Sequence, residues 1–161
     1  MNVLVSVHDK TGLVEFFRKL PNLSIYATEG TAKFLEKNGI DVRRLSEITG
    51  LVESRNLKTL HPEVFRRIYS GFFDVVVVNL YENEIDVGGS AILKAAVKNY
   101  ERVLPVSNPK RYDEVAERIR MNQVDEDFRL KLVIEALEHV IEHDRRALEK
   151  LRRKTKNIQK T

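Results

Sequence analysis

The first apolar run, Val3-Leu4-Val5-Ser6-Val7, predicts a buried strand, and the apolar spacing from Leu13 to Leu20 predicts a helix behind it. Leu23 to Ala27 reads as a second strand. Thr28-Glu29-Gly30-Thr31 then turns into a helix that runs through Leu35 and is closed by Asn38-Gly39. Ile40 to Leu45 reads as a third strand. Residues 46–63 are irregular and polar, with Gly50 and Pro62, and read as an active-site loop.

Asp74-Val75-Val76-Val77-Val78-Asn79-Leu80 carries the strongest strand signal, because four consecutive β-branched residues suit a central strand covered on both faces. Gly88-Gly89-Ser90 opens a helix to about Tyr100, Val103 to Ser107 is a further strand, and Asn108-Pro109 starts another helix. One long helix is expected from Asp127 to about Arg153. Phe128, Leu132, Ala136 and Val140, with their neighbours Val133, Leu137 and Ile141, form its apolar stripe. Strands alternating with helices predict an α/β domain, a three-layer sandwich with a mostly parallel central sheet. Residues 1–153 make that domain and 154–161 a basic tail.

Composition narrows the chemistry. The absence of cysteine excludes a disulfide framework, a thiol nucleophile and a zinc-thiolate site. No apolar run is long enough to span a bilayer, and no secretory leader is evident, so the reading is cytoplasmic without membrane association. The net charge of +4 is uneven, since residues 145–161 carry +7 and the rest −3. A solvated helix end explains that basic run, its cations facing the negative end of the helix dipole, and no nucleic-acid partner is expected.

The residues that follow the strands carry the candidate chemistry. In open parallel sheets, ligands bind beyond the carboxyl ends of the strands. Here those positions hold Ser6 and Lys10, then Thr28, Gly30 and Thr31, then Asn79, Tyr81, Asp86, Gly88 and Gly89. Hydroxyls and glycines entering a helix offer free N–H groups and a positive dipole end to an anion, and Lys10 and Lys58 add point charges. Thr28, Ser90 and Asp86 are equally suited to capping a helix. Two anion-ready loops on neighbouring strands favour a phosphorylated ligand.

SVHDKTG (6–12), ATEGTAKFLEKNGI (27–40), KTLHPEV (58–64), VVVNLY (76–81) and DVGGSAILKAAVKNYERV (86–103) follow one another in this order. Together with DEDFRLKLVIEALEHVIEHD (125–144) they resemble the N-terminal IMP cyclohydrolase domain of the bifunctional purine-biosynthesis enzyme. The resemblance covers most of residues 3–144. It implies a methylglyoxal-synthase-like fold and closure of 5-formamidoimidazole-4-carboxamide ribotide (FAICAR) to IMP and water, with no metal or cofactor. It also implies a homodimer. Carried over by motif, Ser6, Lys10, Thr28, Gly30, Thr31 and Thr59 hold the phosphate, and Lys58, Tyr81, Asp86 and Lys98 surround the reacting base. Donors near Asn79 to Tyr81, with Lys58, would face the formyl oxygen. Asp86 and Lys98, twelve apart with a glycine turn between, would form a hydrogen-bonded pair.

Three departures from the family pattern stand out. Asn56 occupies the place of the arginine two residues before the KTLHP lysine, with Arg55 one position further away. Glu82 replaces the proline after the NLY tyrosine, and the segments on either side of the strong strand are short. The formyltransferase half is not in the sequence. Two other readings remain open: methylglyoxal synthase itself, and a non-catalytic nucleotide- or phosphate-binding regulatory module of the same fold. His139-Val140-Ile141-Glu142-His143 matches a zinc-peptidase pattern by spacing, yet reads as packing or surface histidines. His61 reads as loop architecture.

Overall fold

A computed structural model describes residues 1–51 and 59–158. Five strands, β1 (Asn2–Val7), β2 (Ser24–Ala27), β3 (Arg43–Arg44), β4 (Val75–Asn79) and β5 (Leu104–Val106), form one sheet in the order β3-β2-β1-β4-β5. Every pairing is parallel. Parallel neighbours need crossovers, and the helices supply them. These are α1 (Leu13–Arg18), α2 (Glu29–Lys37), α3 (Ser46–Thr49), α4 (Pro62–Tyr69), α5 (Val87–Lys98), α6 (Tyr112–Arg120) and α7 (Glu126–Ile158).

Two cores sandwich the sheet. Alternate residues Val3, Val5, Val75 and Val77 pack on one face with Phe16, Leu35, Tyr112 and Val115. Leu4, Val76 and Val78 pack on the other with Val64, Ile68, Ile92 and Leu93. The three-layer α/β architecture therefore follows from strands that are apolar on both sides, as the valine run indicated. All five strands run one way, so the sheet is wholly parallel.

The structure departs from the sequence reading at three places. The third strand shrinks from Ile40–Leu45 to Arg43–Arg44, because edge pairing is confined to Tyr26–Arg43 and Ala27–Arg44. Residues 46–63 contain the single-turn α3, and Pro62 opens α4 rather than lying in a loop. The imidazole Nδ1 of His61 accepts the N–H of Glu63 at 3.2 Å, so His61 is the N-cap of α4. Finally, Phe128 and Leu132 of α7 join the first core, whereas Ala136 and Val140 join the second. The helix crosses the β5 edge and covers it, protecting an otherwise open ladder. Leu137 and Ile141, expected in this stripe, point outward instead.

The chain begins in the middle of the sheet, moves out to β3, and returns to lay β4 on the other side of β1. The order reverses between β1 and β4. Loops diverge there, which leaves a crevice at the carboxyl ends of those two strands.

Candidate functional site

The crevice is framed on the β2 side by three hydroxyls. Thr28 lies at the start of α2, its Oγ1 3.4 Å from Ser6 Oγ and 3.4 Å from Thr31 Oγ1. Thr31 is buried, with its hydroxyl between the N–H of Val7 at 3.3 Å and the carbonyl of Val7 at 3.4 Å. Thr28 occupies the N-cap position, yet its side chain caps no N–H of the helix. The capping role open to Thr28 is therefore not taken. The first-turn amides of α2 keep their positive end, and a Cβ built on Gly30 meets no atom within 4 Å. Lys10 Nζ lies 3.4 Å from the Val7 carbonyl and 3.3 Å from that of His8, which holds its charge over the end of β1. Hydroxyls, first-turn amides and one ammonium around open space are an arrangement suited to an anion.

The floor between β1 and β4 is set by Asn79. Its Oδ1 accepts the N–H groups of His8 at 2.7 Å and Asp9 at 2.8 Å, and its Nδ2 donates to the Asp9 carbonyl at 2.8 Å. Asn79 is 6% exposed and spends its amide on the backbone of the neighbouring loop. Asp9 in turn accepts the Thr11 N–H at 2.9 Å, and hydrogen bonds from Thr11 keep the Asp9 carboxyl below the ordinary range. Tyr112, which the sequence did not single out, lies under this loop. Burial, then the Asp9 charge, pushes its hydroxyl well above the usual tyrosine range, so it stays neutral.

The β4 side carries Tyr81 and Asp86. The Tyr81 ring centroid is 4.7 Å from that of His8, which joins the two loops across the crevice. Asp86 caps α5: its Oδ1 accepts the Gly89 N–H at 2.7 Å. Two histidines of α7 fasten the segment between them. The N–H of Leu80 donates to His139 Nε2 at 3.0 Å. His143 Nε2 lies 3.2 Å from the N–H of Asp86 and 3.1 Å from the Glu84 carbonyl, and its Nδ1 lies 3.3 Å from Asp144 Oδ1. The H-x-x-E-H spacing that mimics a zinc ligand pair thus puts two acceptors on one helix face, one turn apart, to hold a loop.

Thr59 and the glycine pair meet at the start of α5. A Cβ on Gly88 would fall 2.1 Å from Thr59 Oγ1, and one on Gly89 would fall 2.7 Å from Asp86 Oδ2 and 2.8 Å from Leu80 Cδ2. Only glycine lets the threonine and the capping carboxylate pack this closely on the helix. Ser90, the other suggested cap, instead buries its Oγ with no hydrogen-bond partner among the described residues.

Lys98 does not join this group. Gly88 and Gly89 belong to the first turn of α5, and the helix continues without a break to Lys98 in its last turn. Twelve residues at helical rise place Lys98 about 18 Å from Asp86, beyond the reach of its side chain. The expected Asp86–Lys98 pair is therefore absent, and Lys98 instead faces the negative end of its own helix dipole. Lys58, Arg55 and Asn56 lie outside the described residues. A cavity of about 1020 Å³ runs between residues 79–85 and α7. It shares Asn79 and Tyr81 with the crevice, but Ser6, Lys10, Thr28, Thr59 and Asp86 do not line it, so its volume does not measure the hydroxyl-lined site.

Comparison with known proteins places the fold. The MGS-like domain family matches residues 12–101, more than half of the chain. The chain belongs to that family. The AICARFT/IMPCHase bienzyme family matches residues 96–161. The bifunctional purine biosynthesis protein PurH of Staphylococcus epidermidis is 34% identical over 177 residues, covering 88% of this chain and 36% of that protein. PurH of Staphylococcus carnosus is 34% identical over 178 residues with the same coverage. The chain thus spans little more than a third of these curated relatives and is homologous to their N-terminal part. A crystal structure of ForH superposes with a TM-score of 0.83 at 26% identity, over 92% of this chain and 97% of that one.

Proposed function

We propose that this MGS-like domain is an IMP cyclohydrolase, closing FAICAR to IMP with loss of water. The observation that carries the reading is the position of the hydroxyl cluster relative to Tyr81 and Asp86. Thr28 follows β2 and Tyr81 follows β4, two strand spacings apart, roughly 10 Å, a span suited to a ribotide with its phosphate at one end and its base at the other. Ser6, Thr28, the Gly30 and Thr31 amides and Lys10 bind the phosphate. The heterocycle then lies over the β1–β4 switch point, against Tyr81, Asp86 and the Thr59–Gly88 contact.

The reaction is internal to one molecule. The carboxamide nitrogen attacks the formyl carbon and gives up one proton, the formamide nitrogen gives up a second as its double bond to that carbon forms, and the formyl oxygen takes both and departs as water. An amide nitrogen is a poor nucleophile, so holding the two arms of the substrate at contact distance supplies much of the acceleration. Asp86 receives the amide proton. One of its oxygens is tied to Gly89, and among the described residues Oδ2 takes no hydrogen bond. Tyr81 and the Lys58 of the KTLHP motif supply donors to the formyl oxygen as charge develops there.

Among the described residues no helix is long and apolar enough to cross a membrane, and a nucleotide-making enzyme of this kind belongs to the cytoplasm. The test is binding and turnover together. IMP is expected to bind far more tightly than inosine, which lacks the phosphate, and FAICAR is expected to become IMP with EDTA making no difference. Equal affinity for IMP and inosine would remove the phosphate site from the account.

A further inference from the structure

The outer face of α7 carries a second apolar stripe. Leu130, Ile134, Leu137, Ile141, Leu148 and Leu151 are between 39% and 56% exposed. With Asp144 between Ile141 and Leu148, their steps alternate four and three without interruption. That is a period of 3.5, the repeat of a helix wrapped on another helix. The stripe that α7 buries against its own domain, Phe128, Leu132, Ala136, Val140 and His143, steps mostly by four and lies roughly 140° away around the helix. The two faces therefore have different periods and different partners.

The seam also outruns the domain. Among the described residues His143 is the last of α7 that is buried, and the helix continues to Ile158. Isolated helical segments of that length are marginal in water. Lys150 gives this part a light tether, to the Glu82 carbonyl at 3.3 Å and Asn83 Oδ1 at 3.4 Å, on the side away from the seam.

Charge says what covers the seam. Residues 126–144 hold six acids and two bases, whereas residues 145–156 hold seven bases and one acid. The segregation extends far beyond the single end turns where a helix dipole acts. An antiparallel copy sets each basic half on the other's acidic half. With Ile134 opposite Leu151 and Leu137 opposite Leu148, Glu138 of one helix faces Arg145 of the other, twice by symmetry, where Arg145 also holds Glu142 of its own helix at 3.1 Å. The same register brings Lys131 toward Arg152, but Lys131 is already paired with Asp127 at 2.6 Å. A parallel pair would stack Asp144 on Asp144 at the centre of the seam, whereas the antiparallel register sets it opposite Ile141. From the period, the overhang and the charge pattern we infer that the outer face of α7 is the interface of a homodimer, formed as an antiparallel two-helix coiled coil.

Sedimentation equilibrium of the full chain tests this independently of any ribotide turnover. The expected mass is twice 18.7 kDa, falling to a single chain for Leu137→Glu and for Leu148→Glu with helical circular dichroism retained. Glu138→Arg and Arg145→Glu each weaken association at least tenfold, and the double swap restores it. Because the chain has no cysteine, oxidising a mixture of Ile141→Cys and Asp144→Cys chains reads orientation directly. Cross-links between unlike chains are expected. A single-chain mass at tens of micromolar, a dimer indifferent to the seam substitutions, or cross-links only between like chains would each overturn the proposal.

Discussion

His139 holds Leu80: the imidazole Nε2 accepts the Leu80 N–H at 3.0 Å, and the segment that carries Tyr81 and Asp86 hangs from that bond and its His143 counterpart. Only a neutral His139 accepts. Burial, then Arg146 and His143 nearby, keeps its protonation below the ordinary histidine range. The folded state thus binds fewer protons than the unfolded chain, so this contribution to stability is present above the ordinary range near pH 6.5 and fades as pH falls through it. His139→Gln removes the titration. The melting temperatures of the wild type and this variant are expected to converge between pH 7.5 and pH 5.5, and a constant difference would remove His139 from the account.

Thr28→Val tests the anion cluster. No helix cap is lost, so the melting temperature stays within a degree or two of wild type. Affinity for the ribotide phosphate falls by roughly 10- to 100-fold, as for a lost hydrogen bond to a charged group. Calorimetric titration with IMP measures both affinity and stoichiometry. A large drop in stability with unchanged affinity would restore the capping role.

Gly88→Ala places a methyl carbon 2.1 Å from Thr59 Oγ1 and must displace the threonine. Overpacking of this kind costs about 1–3 kcal/mol, a loss of roughly 3–10 °C in melting temperature. Turnover is expected to fall more steeply, because the displaced residue precedes α4 beside Asp86. Thermal melts and single-turnover rates separate the two effects.

Lys98→Ala is the counter-case. With Lys98 about 18 Å along α5 from Asp86, any loss of activity is expected to track a loss of melting temperature. A variant of wild-type stability with turnover down by orders of magnitude would place Lys98 at the reacting base after all.

Much of this arrangement was legible in the sequence. The valine run of β4, the glycine-led α5 and the threonine-led α2 all read correctly, because each couples a strand or helix signal to a distinct punctuating residue. The strand-end hydroxyls and Asn79 were visible as a set, although the inward use of the Asn79 amide was not. Three things were hidden. Helix α4 was one, because Pro62 reads as part of a loop; in that helix Arg66 and Arg67 pair with Glu63 and hold that carboxyl down to about 2. The Asp86–Lys98 spacing suggested a turn because two glycines intervene, yet a capped helix accommodates both. The α7 stripe merged two faces, since residues 137 and 141 adjoin the buried positions 136 and 140 in sequence while facing away from them in space.

The central claim is that one crevice both anchors a ribotide and closes its ring, and Asp86→Asn puts it to the most direct trial. Asparagine still accepts the Gly89 N–H, so the cap and the fold persist while the carboxylate is lost. Conversion of FAICAR to IMP, followed by ultraviolet absorbance, is expected for the wild-type chain and reduced at least a hundredfold in the variant, with IMP affinity within a few-fold. Wild-type protein that binds IMP yet leaves FAICAR unchanged would contradict the account and leave a nucleotide-binding module in its place.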